Sequence, residues 1–337
     1  MKIIVDAMGG DNAPEAIVKG AVRARDELGV EIVLVGQKEA VEACLGSTDR
    51  RNIEIVDARE IVTMEDDPST ATRRKKDSSM TVGLNMLKNG EGDAMVSAGS
   101  TGALLTGATL IVKRIKGVRR AALCPYLPSS ENGFLLIDCG ANAECTPEYL
   151  LQFAYMGSFY AKNILHIDNP RVGLLNNGTE ECKGAELQQT THKLLKAAGE
   201  EGRLNFIGNV EAGTVLFGGV DVVVADGFSG NIMLKTIEGA SKWILKQLKG
   251  VFMSSTKNKL AAAVIKNDLG SLKTKLDPNE IGGTALLGIS KPVIKAHGSS
   301  NDAALFAAIR QAKSFVEANI AEEIKNNIDY MKIAEEA

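Results

Sequence analysis

Short apolar, β-branched runs recur along the chain, separated by longer stretches in which apolar residues return every three or four positions. The short runs at Lys2–Val5, Glu31–Val35, Ile53–Val56, Ala94–Ser97, Phe134–Ile137, Val172–Leu175, Leu204–Ile207 and Asp221–Ala225 predict strands. The longer stretches predict helices over roughly Pro14–Leu28, Lys38–Cys44, Ser79–Lys88, Thr101–Ile115, Pro147–Asn163, Gly184–Ala198 and Gly230–Lys249. Asp302–Ala337 reads as one or two further amphipathic helices. Strands alternating with helices predict crossover units and a largely parallel α/β sheet. The strands are continuously apolar, as burial on both faces requires. No internal repeat or low-complexity linker interrupts residues 1–337, which are expected to form one α/β unit.

Composition narrows the function classes. With 45% hydrophobic and 24% charged residues the chain is an ordinary globular protein rather than a disordered one. Aromatics at 4% leave little for base stacking, and a formal net charge of −3 argues against general nucleic-acid binding. The start, Met1-Lys2-Ile3-Ile4-Val5-Asp6, is a strand without the basic, apolar and cleavable regions of a signal peptide. No uninterrupted apolar stretch reaches the about 18 residues of a spanning helix, so a cytoplasmic protein is expected. The five cysteines (Cys44, Cys124, Cys139, Cys145, Cys182) contain no C-x-x-C, and His166, His192 and His297 lie far apart. A zinc site therefore has little support, and neither metal nor organic cofactor is expected.

In open α/β sheets ligands bind beyond the carboxyl ends of the strands. Here those ends carry small, polar, glycine-rich turns: Asp6-Ala7-Met8-Gly9-Gly10-Asp11-Asn12, Ser97-Ala98-Gly99-Ser100-Thr101-Gly102, Asp138-Cys139-Gly140-Ala141-Asn142, Asn176-Asn177-Gly178-Thr179 and Asp226-Gly227-Phe228-Ser229-Gly230-Asn231. Glycine lets backbone amides approach an anion, and a following helix start adds a positive dipole end. Any one turn has a purely structural explanation; five together point to an anion site. No G-K-[ST] follows any of them and the first strand carries no G-x-G-x-x-G, so the anion is not expected to be a nucleotide phosphate.

Other segments add candidate chemistry. Lys183, between Gly178 and Gly184, supplies a point charge suited to phosphate or a developing oxyanion, although most lysines are only solvated. Its neighbour Cys182 is a weaker candidate for an acyl-accepting thiolate, because no histidine lies near it in sequence. His297, followed by Gly298, Ser299 and Ser300, reads either as a general acid/base or as a loop-holding side chain. Arg73, Arg74, Lys75 and Lys76 form the densest positive cluster, a solvated face or a docking place for an acidic partner. The segment 242–276 holds eight lysines and a single acid, Asp268, interleaved with apolar residues such as Leu260, Val264 and Ile265. It predicts a basic amphipathic helix that meets a membrane or a partner, or else one that covers a core or a dimer interface.

Taken in order, the Asp6–Asp11 loop, Arg73–Met80, Ser97–Ala103, Asp138–Asn142, Gly178–Gly184, Asp226–Asn231 and His297–Ser300 resemble the PlsX phosphate acyltransferases over essentially the whole chain. Against the family's usual pattern, Ser100 stands in place of an asparagine and Asn177 in place of an apolar residue. The resemblance implies a three-layer α/β/α fold like that of isocitrate/isopropylmalate dehydrogenases and phosphate acetyltransferases, a homodimer, and peripheral attachment to the inner face of the cell membrane. It also implies the reaction: phosphate attacks a long-chain acyl thioester on acyl carrier protein and yields acyl-phosphate for phosphatidic acid synthesis. Phosphate is already nucleophilic, so positioning and charge stabilisation suffice. On this reading Lys183, Ser97–Thr101 and Gly227–Asn231 contact phosphate and the oxyanion, with Asn231 catalytic and His297 the acid for the leaving thiol. The turns holding Asp6, Gly9, Gly10, Asp11, Gly102, Asp138, Asn142, Asp226 and Ser299 complete the substrate site. The rivals are a short-chain phosphotransacylase using coenzyme A, an NAD-dependent decarboxylating dehydrogenase on the same fold, and a non-enzymatic membrane scaffold.

Overall fold

The computed structural model of the protein describes residues 1–266, 268–270 and 282–333. The first part of the chain alternates β1 (Lys2–Asp6), α1 (Glu15–Leu28), β2 (Glu31–Gly36), α2 (Lys38–Leu45), β3 (Ile53–Asp57), α3 (Ala71–Arg74), α4 (Ser79–Asn89), β4 (Ala94–Ser97) and α5 (Thr101–Gly107). There follow β5 (Ala122–Cys124), β6 (Tyr126–Leu127), β7 (Phe134–Ile137), α6 (Pro147–Asn163), β8 (Arg171–Asn176), α7 (Glu186–Glu200), β9 (Asn205–Glu211) and β10 (Val222–Val224). Then come the long α8 (Gly227–Met253), α9 (Thr256–Val264), β11 (Thr284–Leu287), β12 (Val293–Lys295), α10 (Asp302–Ala318) and α11 (Ile320–Asn326).

Among the described residues the strands divide between two sheets, ordered β3-β2-β1-β4-β12-β11-β5 and β6-β7-β10-β8-β9. Pairing is parallel except where β11 meets β12 and β5, and where β6 meets β7. The segment from Ala122 to Leu127 belongs to both sheets: β5 closes the first and β6 edges the second. Backbone bonds from Cys139 to Leu123 (3.2 Å) and from Leu136 to Pro125 (3.1 Å) tie β7 to that segment.

Both faces of the central strands are covered. Ile3 and Val5 join one apolar core and Ile4, between them, joins the other; Val222 and Val224 part from Val223 in the same way. The period of two along a strand thus makes three layers, helix on sheet on helix.

The strands foreseen from pattern all form. β5, β6, β11 and β12 were not foreseen, since runs of two to four residues beside Pro125 or Pro292 give no readable period. The helix expected to reach Ile115 instead passes at Ala108–Val112 into a π turn closed by the Lys113 amide on the Ala108 carbonyl, 2.9 Å. Of the basic segment 242–276, residues 267 and 271–276 lie outside the described residues; its described part holds the end of α8, all of α9 and a few residues beyond it.

Helix α10 lies against α1 at Gly20, where a methyl group would stand 2.6 Å from the Asp302 carbonyl oxygen and 2.9 Å from the Leu305 Cβ. Overpacking of this kind costs about 1–3 kcal/mol. Gly20→Val should therefore lower the urea midpoint by that equivalent, whereas an unchanged midpoint would show that the two helices can part without loss.

Candidate functional site

The first sheet's strand-end loops are organised by one buried carboxylate. Asp6 ends β1, where its side chain accepts from the Ser97 hydroxyl at 2.6 Å and the Met8 amide at 3.3 Å, with Ser79 and the Gly9 amide also bonding to it. Burial pushes its pKa above the ordinary carboxyl value, and these hydrogen bonds pull the other way. Gly9 fits beneath the β4 loop because it lacks a side chain: a methyl there would lie 2.6 Å from Asp6 Oδ2 and 2.7 Å from the Gly99 nitrogen. The Gly99 amide in turn donates to Ser97 Oγ, 3.1 Å. Gly10 adopts φ +103°, and the Asp11 amide then reaches the Gly298 carbonyl at 2.8 Å. The loops after β1, β4 and β12 thus form one unit.

The second sheet repeats the device. Asp138, after β7, accepts from the amides of Leu123 (2.9 Å), Ala141 (3.2 Å) and Asn142 (2.7 Å), and from the Asn142 side chain (3.0 Å). Its pKa too is raised by burial against those bonds. Helix α8 starts on this loop: Gly227 donates to the Asn142 carbonyl at 2.8 Å, and a methyl on Gly230 would fall 2.0 Å from the Asp138 carbonyl oxygen. Asp226 caps the helix, taking the Ser229 amide and hydroxyl, each at 2.8 Å.

Between the two sets of loops opens a cleft of about 330 Å³. Thr101, Lys295, His297 and Gly298 line it from the first sheet; Cys139, Gly140, Asn231, Lys235 and Glu238 line it from the second. Lys235 and Glu238 pair at 2.9 Å. Lys295, at the end of β12, is buried, and burial brings its pKa down to about 8, opposed by the charges of Asp6 and Asp11. His297 also has its pKa lowered, first by desolvation and then by Lys295, Lys235 and Lys242, with Glu238 opposing. Its Nδ1 accepts from the Ser299 amide at 3.3 Å and meets Ser299 Oγ at 2.9 Å. The neutral ring therefore carries its proton on Nε2. Burial pushes the Cys139 thiol well above its ordinary value, which keeps it protonated and poorly nucleophilic.

The expected site residues divide accordingly. Asn231, His297 and Thr101 reach the cleft. Asp6, Ser97, Asp138, Asn142, Asp226 and Ser229 are not among the cleft residues; their polar groups are engaged inside the protein. Ser100 is buried at the start of α5, its Oγ accepting from the Ala103 amide at 3.5 Å, and Gly102 packs on Pro68. Lys183 is not among the cleft residues: its side chain is 47% exposed and its Nζ stands 4.0 Å from Glu180. Cys182 beside it is exposed.

Lys75 turns inward to Asp66 (2.6 Å) and the Ile61 carbonyl (2.8 Å), leaving Arg73, Arg74 and Lys76 on the surface. Leu260, Val264 and Ile265 are exposed on or just after α9. On the other side of α8 runs a larger, mainly apolar groove of about 810 Å³, with Ile232, Ile237 and Ile244 on one wall and Asn176, Asn177 and Ser229 at its polar end.

Three charged residues of the cleft, Lys235, Glu238 and Lys295, are not among the residues that the sequence singles out. Lys235 sits one turn beyond Asn231 on α8, so helical spacing from that loop could have found it. Lys295 ends a three-residue strand, and its burial is a property of the fold alone. Among the described residues no group of three or more His, Cys, Asp or Glu is placed to hold a metal ion.

Comparison with known proteins agrees with this architecture. The family model described as "Fatty acid synthesis protein" matches residues 1–323. The phosphate acyltransferase of Oceanobacillus iheyensis is 49% identical over 337 residues, covering 100% of both chains. That of Bacillus licheniformis is 49% identical over 330 residues, 97% of this chain and 98% of the other. Among solved structures, a phosphotransacetylase from Streptococcus pyogenes superposes with a TM-score of 0.61 at 20% identity, covering 96% of this chain and 94% of that one. The EutD phosphotransacetylase from Staphylococcus aureus gives 0.59 at 18% identity over 95% and 94%. These two share the fold. With near-half identity along its entire length, this chain belongs to the phosphate acyltransferase family.

Proposed function

We propose that the protein transfers a fatty acyl group from acyl carrier protein to inorganic phosphate, releasing acyl-phosphate and free carrier for phospholipid synthesis. The observation that carries this reading is the cleft between the two sets of strand-end loops, where Thr101, Asn231, Lys235, Lys295 and His297 face one cavity in a chain of this family. A phosphate oxygen attacks the thioester carbonyl, forming the C–O bond and a tetrahedral oxyanion. The oxyanion collapses with cleavage of the C–S bond, and the carrier thiolate leaves with the electron pair. Preformed donors stabilise the oxyanion without reorganisation, which suits the Asn231 amide. His297 Nε2–H is the donor for the departing sulfur. The groove beside α8 has the apolar lining that a long acyl chain needs, which favours a fatty acyl donor over the short-chain coenzyme A alternative.

The exposed basic surface at Arg73, Arg74 and Lys76 is the proposed docking place for the acidic carrier. Among the described residues no helix is long and apolar enough to cross a membrane. Membrane contact is instead assigned to α9, where Leu260 and Val264 are 66% and 85% exposed beside Lys257 and Lys259. Each lysine near an anionic surface contributes about 1 kcal/mol, so attachment is reversible and salt-sensitive.

Four measurements test these readings. Incubated with palmitoyl carrier protein and phosphate, without added metal or nucleotide, the protein should form a hydroxylamine-trappable acyl-phosphate; a requirement for NAD or magnesium would overturn the reaction assigned. Lys183→Ala, which alters a side chain outside the cleft, should leave turnover near parental; a fall of about 100-fold would instead bring its amine to the phosphate or oxyanion. Cys182→Ala should remain active either way. Replacing Leu260, Val264 and Ile265 by serine should abolish co-sedimentation with anionic vesicles at low salt while sparing activity in solution. Loss of activity or oligomeric state with vesicle binding retained would make α9 an interface element instead.

A further inference from the structure

The lysines of the cleft are not equivalent. Lys235 is neutralised by Glu238 at 2.9 Å. Lys295 is only 7% exposed, yet among the described residues no carboxylate hydrogen-bonds to its amine. Its Nζ donates to two backbone carbonyls, those of Ala98 (3.4 Å) and Ala296. An ammonium has three N–H donors, so one is left over, at a residue that lines the cleft.

The position is set by the sheet. Lys295 pairs in register with Ser97, and the Ala296 amide bonds to the Ser97 carbonyl at 2.9 Å. The amine therefore lies where the β1, β4 and β12 loops meet, the junction that Asp6 organises. A buried cation without a hydrogen-bonded counterion is unfavourable. Asp6 and Asp11 attract it, but the Asp6 carboxylate is already occupied by Ser97, Ser79 and backbone amides. An anion entering the cleft would supply the missing partner.

We propose that Lys295 is the phosphate-binding cation of the cleft, holding the attacking dianion through the N–H that its two carbonyl bonds leave free. The proposal rests on the phosphate-transfer reading above and adds to it a residue and a task. Lys295 steadies the nucleophile while Asn231 faces the same space from α8. The charged groups facing it are Asp6 and Asp11 from the β1 loop, His297 from its own loop, and Lys235 and Glu238 from α8.

The pH profile distinguishes this task from a merely structural tie. Phosphate is already a dianion above pH 8, so a fall in its binding there reports the protein. As Lys295 loses its proton above about pH 8, the KM for phosphate should rise roughly tenfold per pH unit while the KM for the acyl donor holds steady. Lys295→Gln should raise the phosphate KM about 100-fold, the scale of one lost anion contact, and abolish that slope. Lys295→Arg should restore binding within a few-fold and also remove the slope, because its charge persists. A folded Lys295→Gln protein with a parental phosphate KM overturns the proposal, as does a parental phosphate KM that stays flat from pH 8 to about 9.5. The second outcome needs no variant and decides the matter should both substitutions unfold the protein. Calorimetric titration of inorganic phosphate, without acyl donor, separates the two claims. Phosphate binding that Lys295→Gln abolishes, in a protein that makes no acyl-phosphate, would sink the reaction and keep the site.

Discussion

A carboxylate buried at the end of β1 is the constraint on which the site depends. Asp6 is shut off from water, so it must be satisfied from within, and its partners come from three separate stretches: its own loop, Ser79 and Ser97, with Gly99 held in turn by Ser97. Removing that hub would leave the Ser97 hydroxyl and several amides without a partner inside a packed junction. Asp138, at the end of β7, does the same with its own turn and reaches across to β5 at the edge of the first sheet, while α8 starts against its backbone. Each half of the molecule thus fixes its loops around one buried acid before any ligand arrives, which is the preorganisation that charge stabilisation needs.

The space between these two hubs is where charge is unbalanced. Asp6 and Asp138 are consumed by hydrogen bonds, and Glu238 by Lys235. Open to the cleft are the buried amine of Lys295, the side chains of Thr101 and Asn231, and the imidazole of His297, whose Nδ1 accepts from the Ser299 amide. The same burial that depresses the Lys295 pKa raises that of the Cys139 thiol. One environment therefore keeps a cation ready for an anion and a sulfur unready to take an acyl group.

Much of this was legible in the chain. The strand bounds Ala94–Ser97 and Phe134–Ile137 and the helix Pro147–Asn163 follow directly from apolar period and flanking turns. The polar turns were recognisable as a set, and the cleft does lie among them. Their division of labour was not legible. Ser97 and Ser229 read as hydroxyls free for an anion, but each spends its proton on an aspartate three or more residues away. Composition cannot say which way a hydroxyl points. Lys295 carries no such signal: the run Val293–Lys295 is too short to read as a strand, and its importance comes from where β12 is inserted, next to β4.

The glycines of these turns limit how the protein can vary. At Gly9 and Gly230 the space for a side chain is already filled by Asp6, Gly99 or the Asp138 carbonyl. Any descendant of this sequence that keeps both hubs must keep glycine there, whether or not its cleft still handles phosphate. Invariance at those two positions is thus a record of fit, and a lineage that had lost or exchanged its activity would go on displaying it. Divergence of chemistry would show first at Asn231, Lys295 and His297, whose side chains line the cleft.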